Sequence, residues 1–121
     1  MALKESGEMY LETILILKEE KGNVRSIDIA NELGYSKPSV SRAIGILKRD
    51  SYINVDAHGN ITLTTIGSNI AKTIYYRHQT ISSFLIKIGV SEECSLTDAC
   101  KMEHIISEET MSCIENYLKN A

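Results

Sequence analysis

Three residues in the last quarter of the chain carry donor chemistry at helical spacing. Within "ACKMEHIIS", Ala99 to Ser107, the residues Cys100, Glu103 and His104 stand at i, i+3 and i+4. In a helix these positions share one face, so a thiol, a carboxylate and an imidazole can converge on one point. Sulfur, oxygen and nitrogen donors of this kind suit a divalent transition metal, although three make an incomplete cage and a fourth must come from elsewhere. The same spacing also describes a buried thiol beside a surface glutamate and histidine, and spacing alone leaves both readings open.

The rest of the chain bounds what such a cluster can serve. With 121 residues there is room for one compact domain, or a small domain with a short second module. A hydrophobic fraction of 43% with 24% charged residues is the balance of a folded globular protein. No apolar run is long enough to span a bilayer. The opening residues, "MALKESGEMY", lack the apolar core of a signal peptide, so the expected location is the cytoplasm. Three cysteines, Cys94, Cys100 and Cys113, are an odd number without an export signal, which argues against a disulfide framework. Buried filler is their first expectation, with metal ligation the other use.

The net charge of −3 argues against a nucleic-acid partner until its distribution is read. From Lys37 to Arg49 the chain carries Lys37, Arg42, Lys48 and Arg49 and no acid. From Ser91 to Glu115 it carries Glu92, Glu93, Asp98, Glu103, Glu108, Glu109 and Glu115 against Lys101. A basic segment followed by an acidic one predicts two jobs.

Periodicity supplies the elements that must position these groups. Tyr10, Ile14 and Leu17 repeat at helical spacing over about residues 5–20, and Lys21-Gly22-Asn23 stops the run. Ser26 is placed to cap a short helix holding Ile27, Ile29, Ala30 and Leu33, which Gly34 ends. Ser36 caps the next helix, with Pro38 in its first turn and Val40, Ala43, Ile44 and Leu47 as its apolar stripe. "YINVDAHGNITLT" then changes period to strand, turn at His58-Gly59-Asn60, strand. Thr65 is placed to cap a long helix through Ile70, Ile74, Ile81, Leu85 and Ile88, ended by Gly89. Two shorter helices follow, about 95–105 and 107–118. The fold class predicted is mostly α: a winged helix-turn-helix over residues 1–66, then an all-helical domain over 67–121.

In that architecture the second helix of the pair presents Ser36, Lys37, Pro38, Ser39 and Arg42 near its N-terminal end, where the dipole and free N–H groups favour phosphate. Hydroxyls suit base edges, and Arg42 can pair bidentately with guanine. A solvated basic face is the plain alternative; coincidence of the acid-free stretch with the docking geometry points to double-stranded DNA.

Four stretches, in order along nearly the whole chain, resemble the metal-dependent repressors of the diphtheria toxin repressor family: "GEMYLETIL", "SKPSVSRAIGILKRD", "LTTIGSNIA" and "YYRH…ACKMEHIIS". The resemblance implies a short, two-domain member, whose second domain binds metal and dimerises. It implies an effector metal site of Met9, Cys100, Glu103 and His104. The iron-sensing branch is similar in having methionine and cysteine at two of these places, where the manganese branch has carboxylates. Thioether and thiolate are soft ligands, so Fe2+ is the expected cofactor, with Mn2+ or another divalent transition metal as alternatives. A second site is implied by His78 and Glu12, sharing an oxygen of Glu103. Partners of the iron branch's ancillary site are replaced here by Ser82 and Leu96. A homodimer on a pseudo-palindromic operator follows from the resemblance, with no membrane partner.

Two other classes compete. One is a winged-helix regulator without metal, sensing redox state through Cys94, Cys100 or Cys113. The other is a small metalloenzyme using Glu103 as a base beside a metal-bound water. No nucleophile elbow, phosphate-binding loop or HExxH motif supports an enzyme.

Overall fold

The structure is a computed structural model that describes residues 3–120. Its elements run α1 (Glu5–Lys21), α2 (Ser26–Leu33), α3 (Lys37–Arg49), β1 (Ile53–Val55), β2 (Ile61–Leu63), α4 (Thr65–Lys87), α5 (Glu92–Met102) and α6 (Glu108–Asn120). The chain is mostly helical, with a winged helix-turn-helix followed by a helical domain. Contacts divide it into two compact units whose boundary falls inside α4, between Lys72 and Thr73. Among the described residues, no helix is long and apolar enough to cross a membrane.

In the first unit, the apolar faces of α1, α2 and α3 meet the inner residues of the two-stranded wing. Leu11, Ile14, Leu17, Val24, Ile29, Val40, Leu47, Ile53 and Ile61 are buried together. The strands are antiparallel with Ile53 opposite Leu63 and Val55 opposite Ile61. Ile61 N–H also donates to Val24 O at 2.7 Å, so the strand is tied to the segment entering α2. The wing turn closes on Asp56, whose carboxylate accepts from the backbone N–H groups of His58 and Asn60, both at 2.9 Å. Those bonds, led by the one from Asn60, hold its carboxyl below the usual carboxylate range.

The second unit is a three-helix core. Ile81 and Leu85 from α4, Ala99 from α5, and Met111 and Ile114 from α6 are buried together. Tyr76 of α4 donates its hydroxyl to the Glu115 carboxylate of α6.

Helix starts differ from the sequence expectation at two places. Ser26 is the first residue of α2 rather than its cap; Arg25 holds the cap position, and Asp28 accepts from Arg25 N–H at 2.9 Å. An aspartate three residues into a helix reaches back to the same orphan donor that a capping-box glutamate would. Likewise Thr65 opens α4, and Thr64 caps it by accepting from Gly67 N–H at 3.1 Å. The Thr64 hydroxyl meanwhile lies 2.8 Å from Ser51 O and 3.1 Å from Tyr52 O, which joins the wing to the start of α4. The cap of α3 is as expected: Ser36 accepts from Ser39 N–H, and Pro38 lies in the first turn. So is the end of α2, where Gly34 takes φ 70° and ψ 25°.

Gly67 marks a close approach. A Cβ built there would sit 2.0 Å from Tyr52 O, a backbone atom that cannot swing aside. Gly67→Ala is therefore expected to cost about 1–3 kcal/mol or more, seen as a lower denaturant midpoint. Gly45, on an exposed face of α3 with nothing within 4 Å of a built Cβ, is the control. Its change to alanine is expected to stabilise by about 0.5–1 kcal/mol through helix propensity.

Asp28 supplies a pH test. Its bond from Arg25 N–H, with Lys21 beside it, holds its carboxyl below the usual range. The stabilisation is present while the group is ionised and is lost as pH falls through the lowered value. Urea unfolding of Asp28→Ala is expected to show a deficit at neutral pH that shrinks in acid.

Candidate metal centre and nucleic-acid interface

The acidic, donor-bearing stretch falls at the end of α5 rather than along it. α5 starts at Glu92, capped by Ser91, and ends at Met102, earlier than the predicted end near residue 105. Glu103 is its C-cap, with helical φ −59° and ψ −23°, and its N–H still donates to Ala99 O at 2.9 Å. His104 lies in the following turn. The helical offset between Cys100 and Glu103 survives, but their environments part. Cys100 is exposed, and Glu103 is completely buried.

Burying a carboxyl is costly unless its oxygens are matched by donors or by a cation. His78 Nδ1, from α4, lies 2.8 Å from Glu103 Oε2. His104 Nε2 lies 3.3 Å from Oε1, with its side chain 1% exposed. Oε1 itself accepts no hydrogen bond. Two imidazoles flanking a buried carboxylate with an unsatisfied oxygen are a nitrogen-and-oxygen donor set that fits a divalent transition metal. In the tautomer that donates Nδ1–H to Glu103, a neutral His78 ring keeps its lone pair on Nε2, an atom that could ligate a metal. The backbone of the turn is gripped as well: Arg77 Nη1 donates to Glu103 O and to Ile106 O, both at 3.2 Å.

Of the residues singled out in the sequence, Glu103, His104 and His78 come together in the second unit. Cys100 precedes them by one turn of α5. Met9 and Glu12 lie on α1 in the first unit. Glu12 is buried, and Met9 is half-buried. Tyr35 O–H points to Met9 Sδ at 3.8 Å, and Thr13 Oγ1 donates to Met9 O at 2.8 Å. The expectation of buried filler cysteines fails: Cys94, Cys100 and Cys113 are all exposed and not disulfide-bonded. They occupy the outer faces of α5 and α6, whose inward positions are Ser95, Ala99, Met111 and Ile114.

Sequence reasoning missed Arg77, whose role depends on a turn remote in sequence. A cation directly before a candidate ligand histidine was its only signal. Ser82 is buried on α4, beside Ile81 of the core, with its hydroxyl unbonded.

At the other end of the chain, α3 presents Lys37, Pro38 and Arg42 to solvent. Ser36 and Ser39 are not simply displayed. The Ser36 hydroxyl donates to Ser39 Oγ at 2.9 Å, and Ser39 N–H donates back to Ser36 Oγ at 3.3 Å. Arg49 pairs with the adjacent Asp50 at 3.1 Å. Arg25 was also missed: a Cβ on Gly59 would lie 3.3 Å from its Nη2, so this cation lies against the wing turn.

Comparison with known proteins agrees with this layout. Residues 2–60 match the domain family described as iron dependent repressor, N-terminal DNA binding domain. Residues 64–121 match iron dependent repressor, metal binding and dimerisation domain. The chain is 39% identical over 102 residues to the HTH-type transcriptional regulator MntR of Geobacillus kaustophilus, covering 84% of this chain and 72% of that protein. Its fold superposes on a manganese-dependent transcriptional repressor in complex with manganese, with TM-score 0.85 and 26% identity over 93% of this chain. It also superposes on IdeR of T. acidophilum, with TM-score 0.83 and 27% identity over 98% of this chain. The chain spans about half the length of these two structures, 52% and 55%. With both of its halves matched in order by the two family domains, the chain belongs to the iron-dependent repressor family, the DtxR/MntR family of metal-dependent transcriptional regulators, which are not enzymes.

Proposed function

We propose that the chain is a ferrous-iron-activated repressor that acts in the cytoplasm as a homodimer on a pseudo-palindromic operator and controls metal-ion homeostasis. Residues 1–66 read DNA, and residues 67–121 bind metal and dimerise. The observation that carries the reading is the buried Glu103 carboxylate, flanked by two histidines and with one oxygen left without a hydrogen bond. Met9, Cys100, Glu103 and His104 are the proposed ligand set, with Glu12 and His78 as donors of a second site beside it. A bound Fe2+ supplies the positive charge that the buried carboxylate lacks.

The chain's own residues do the rest. With donors drawn from α1 and from the turn after α5, metal affinity differs between conformers of the chain. Binding then favours whichever conformer holds the set together. In the DNA-fitting conformer of the dimer, two copies of α3 are spaced about one helical turn of DNA apart. Lys37 and the α3 N-terminus take phosphate, while Arg42 reads a base edge.

The choice of iron rests on donor softness at Met9 and Cys100. Manganese is the second reading, favoured by the name of the MntR relative and by the hard carboxylate donors Glu12 and Glu103.

Anaerobic DNA binding by the metal-free protein, titrated separately with Fe2+ and Mn2+ on a sequence selected from a random pool, separates them. Metal is expected to raise operator affinity by about 5–150-fold, with Fe2+ acting at the lower free concentration. Cys100→Ala is expected to weaken the Fe2+ response more than the Mn2+ response. Operator binding that persists unchanged in chelator would defeat the reading. For the reader helix, Arg42→Ala is expected to cost about 1–3 kcal/mol and to relax preference at one base pair; uniform loss on all sequences would instead mark Arg42 as a phosphate contact.

A further inference from the structure

The turn between α5 and α6, residues 103–107, carries the two side chains at the heart of the candidate centre, and its backbone is held from outside. Helices end with carbonyls that lack intrahelical partners, and in a surface turn water normally satisfies them. This turn is at the surface: Ile105 is 71% exposed. Two of its carbonyls are nevertheless bonded by a single nitrogen, Arg77 Nη1, 3.2 Å from Glu103 O and 3.2 Å from Ile106 O. One of those carbonyls belongs to Glu103 itself.

The next residue along α4, His78, holds the other end of the same glutamate at 2.8 Å. Glu103 is thus gripped at both ends from adjacent residues of one long helix, its backbone by Arg77 and its carboxylate by His78. The bond to Ile106 O closes the turn on its far side, beyond His104. A guanidinium is always charged and has a planar fork of donors, so it suits two acceptors that must keep a set spacing. Its charge also lies at the C-terminal end of α5, where the helix dipole is negative.

We propose that Arg77 is a positioning residue for metal binding: by clasping the carbonyls of Glu103 and Ile106 it sets the turn that presents Glu103 and His104 before any ion arrives. Donor atoms must lie within about 0.5 Å of productive geometry, and supporting hydrogen bonds are what hold them there. A turn ordered in advance lowers the cost of ordering it on binding. This inference rests on Glu103 and His104 being ligands, as argued under the proposed function.

The test uses the full chain, anaerobic, with Co2+ as the probe, read by its visible d–d absorption. Arg77→Met removes both bonds while keeping similar bulk; Arg77→Lys keeps the charge and one donor group. Arg77→Met is expected to weaken Co2+ binding by about 10–100-fold, the usual effect of losing a supporting contact to a ligand. Arg77→Lys is expected to fall between it and the parent. In the metal-free protein, amide exchange at residues 103–107 is expected to quicken in Arg77→Met while the interiors of α4 and α6 and the thermal midpoint hold. Unchanged Co2+ affinity and spectrum in Arg77→Met overturns the proposal. So does a loss of affinity that tracks a fall in the metal-free midpoint and exchange quickening throughout the second unit. If Arg77→Met does not fold, Arg77→Gln carries the same comparison, with the same two outcomes. Glu103→Gln separates the two levels. If it loses Co2+ while Arg77→Met keeps it, only the role of Arg77 fails. If neither variant loses Co2+, the ligand assignment fails with it.

Discussion

The second unit is organised around one uncomfortable group: a glutamate carboxyl with no exposure to water, at a position where a helix has just ended. An acid in that setting is retained only where something compensates it or something uses it. Here the compensation is partial. His78 meets one oxygen, His104 stands at 3.3 Å from the other, and Oε1 still accepts no hydrogen bond. A fold selected for stability alone would have placed an apolar residue there, since the core of Ile81, Leu85, Ala99, Met111 and Ile114 surrounds the same helices. The incomplete satisfaction of Glu103 is what supports the proposed site at this turn, since natural sequences depart from full polar satisfaction chiefly where function requires it.

The first unit shows the opposite economy. Its polar groups are spent on backbone. Asp28 reaches back to Arg25 N–H, Ser36 takes Ser39 N–H, Thr64 takes Gly67 N–H, and Asp56 takes two amides of the wing turn. Such contacts fix where helices begin and how the wing bends, leaving the cations of α3 and Arg25 at the surface for a ligand. The Ser36–Ser39 pair sits between these roles. It completes a cap, and the same hydroxyls lie at the N-terminal end that would approach a phosphate or base, so engaging DNA through them requires exchanging one partner for another.

Much of this was legible because helical periodicity and punctuation are strong local signals. Tyr10, Ile14 and Leu17 announce α1; Gly34 and Pro38 bracket the turn between α2 and α3; the switch to alternation after Asp50 announces the wing. Misplaced caps at Ser26 and Thr65 have a common cause. Two plausible hydroxyls or a hydroxyl and an acid compete within one turn, and tertiary position decides which faces the orphan amides. Thr64 prevails over Thr65 because its hydroxyl is also within reach of Ser51 O and Tyr52 O, thirteen and twelve residues earlier. α5 closes at Met102, short of the expected end, although its C-cap Glu103 still keeps helical dihedrals. The site was legible in part. Spacing raises Glu103 and His104 as candidates without deciding between readings, and their ligand role comes from the family resemblance; His78 meets Glu103 across 25 residues of sequence, and Arg77 meets the turn across 26 and 29. No local pattern encodes those distances.

Exposure of the cysteines alters how ligand identity should be weighed. A thiol already buried among apolar residues would have to pay for ionisation before binding metal, whereas an exposed one ionises with its hydration intact and gives up water only on coordination. Cys100 is exposed and lies one turn before Glu103. A thiol binds metal as its thiolate, so a site that included Cys100 would release a thiol proton on binding, which a set of carboxylates and imidazoles would not. In the proposed reading, the soft donors Met9 and Cys100 are what would separate iron from manganese.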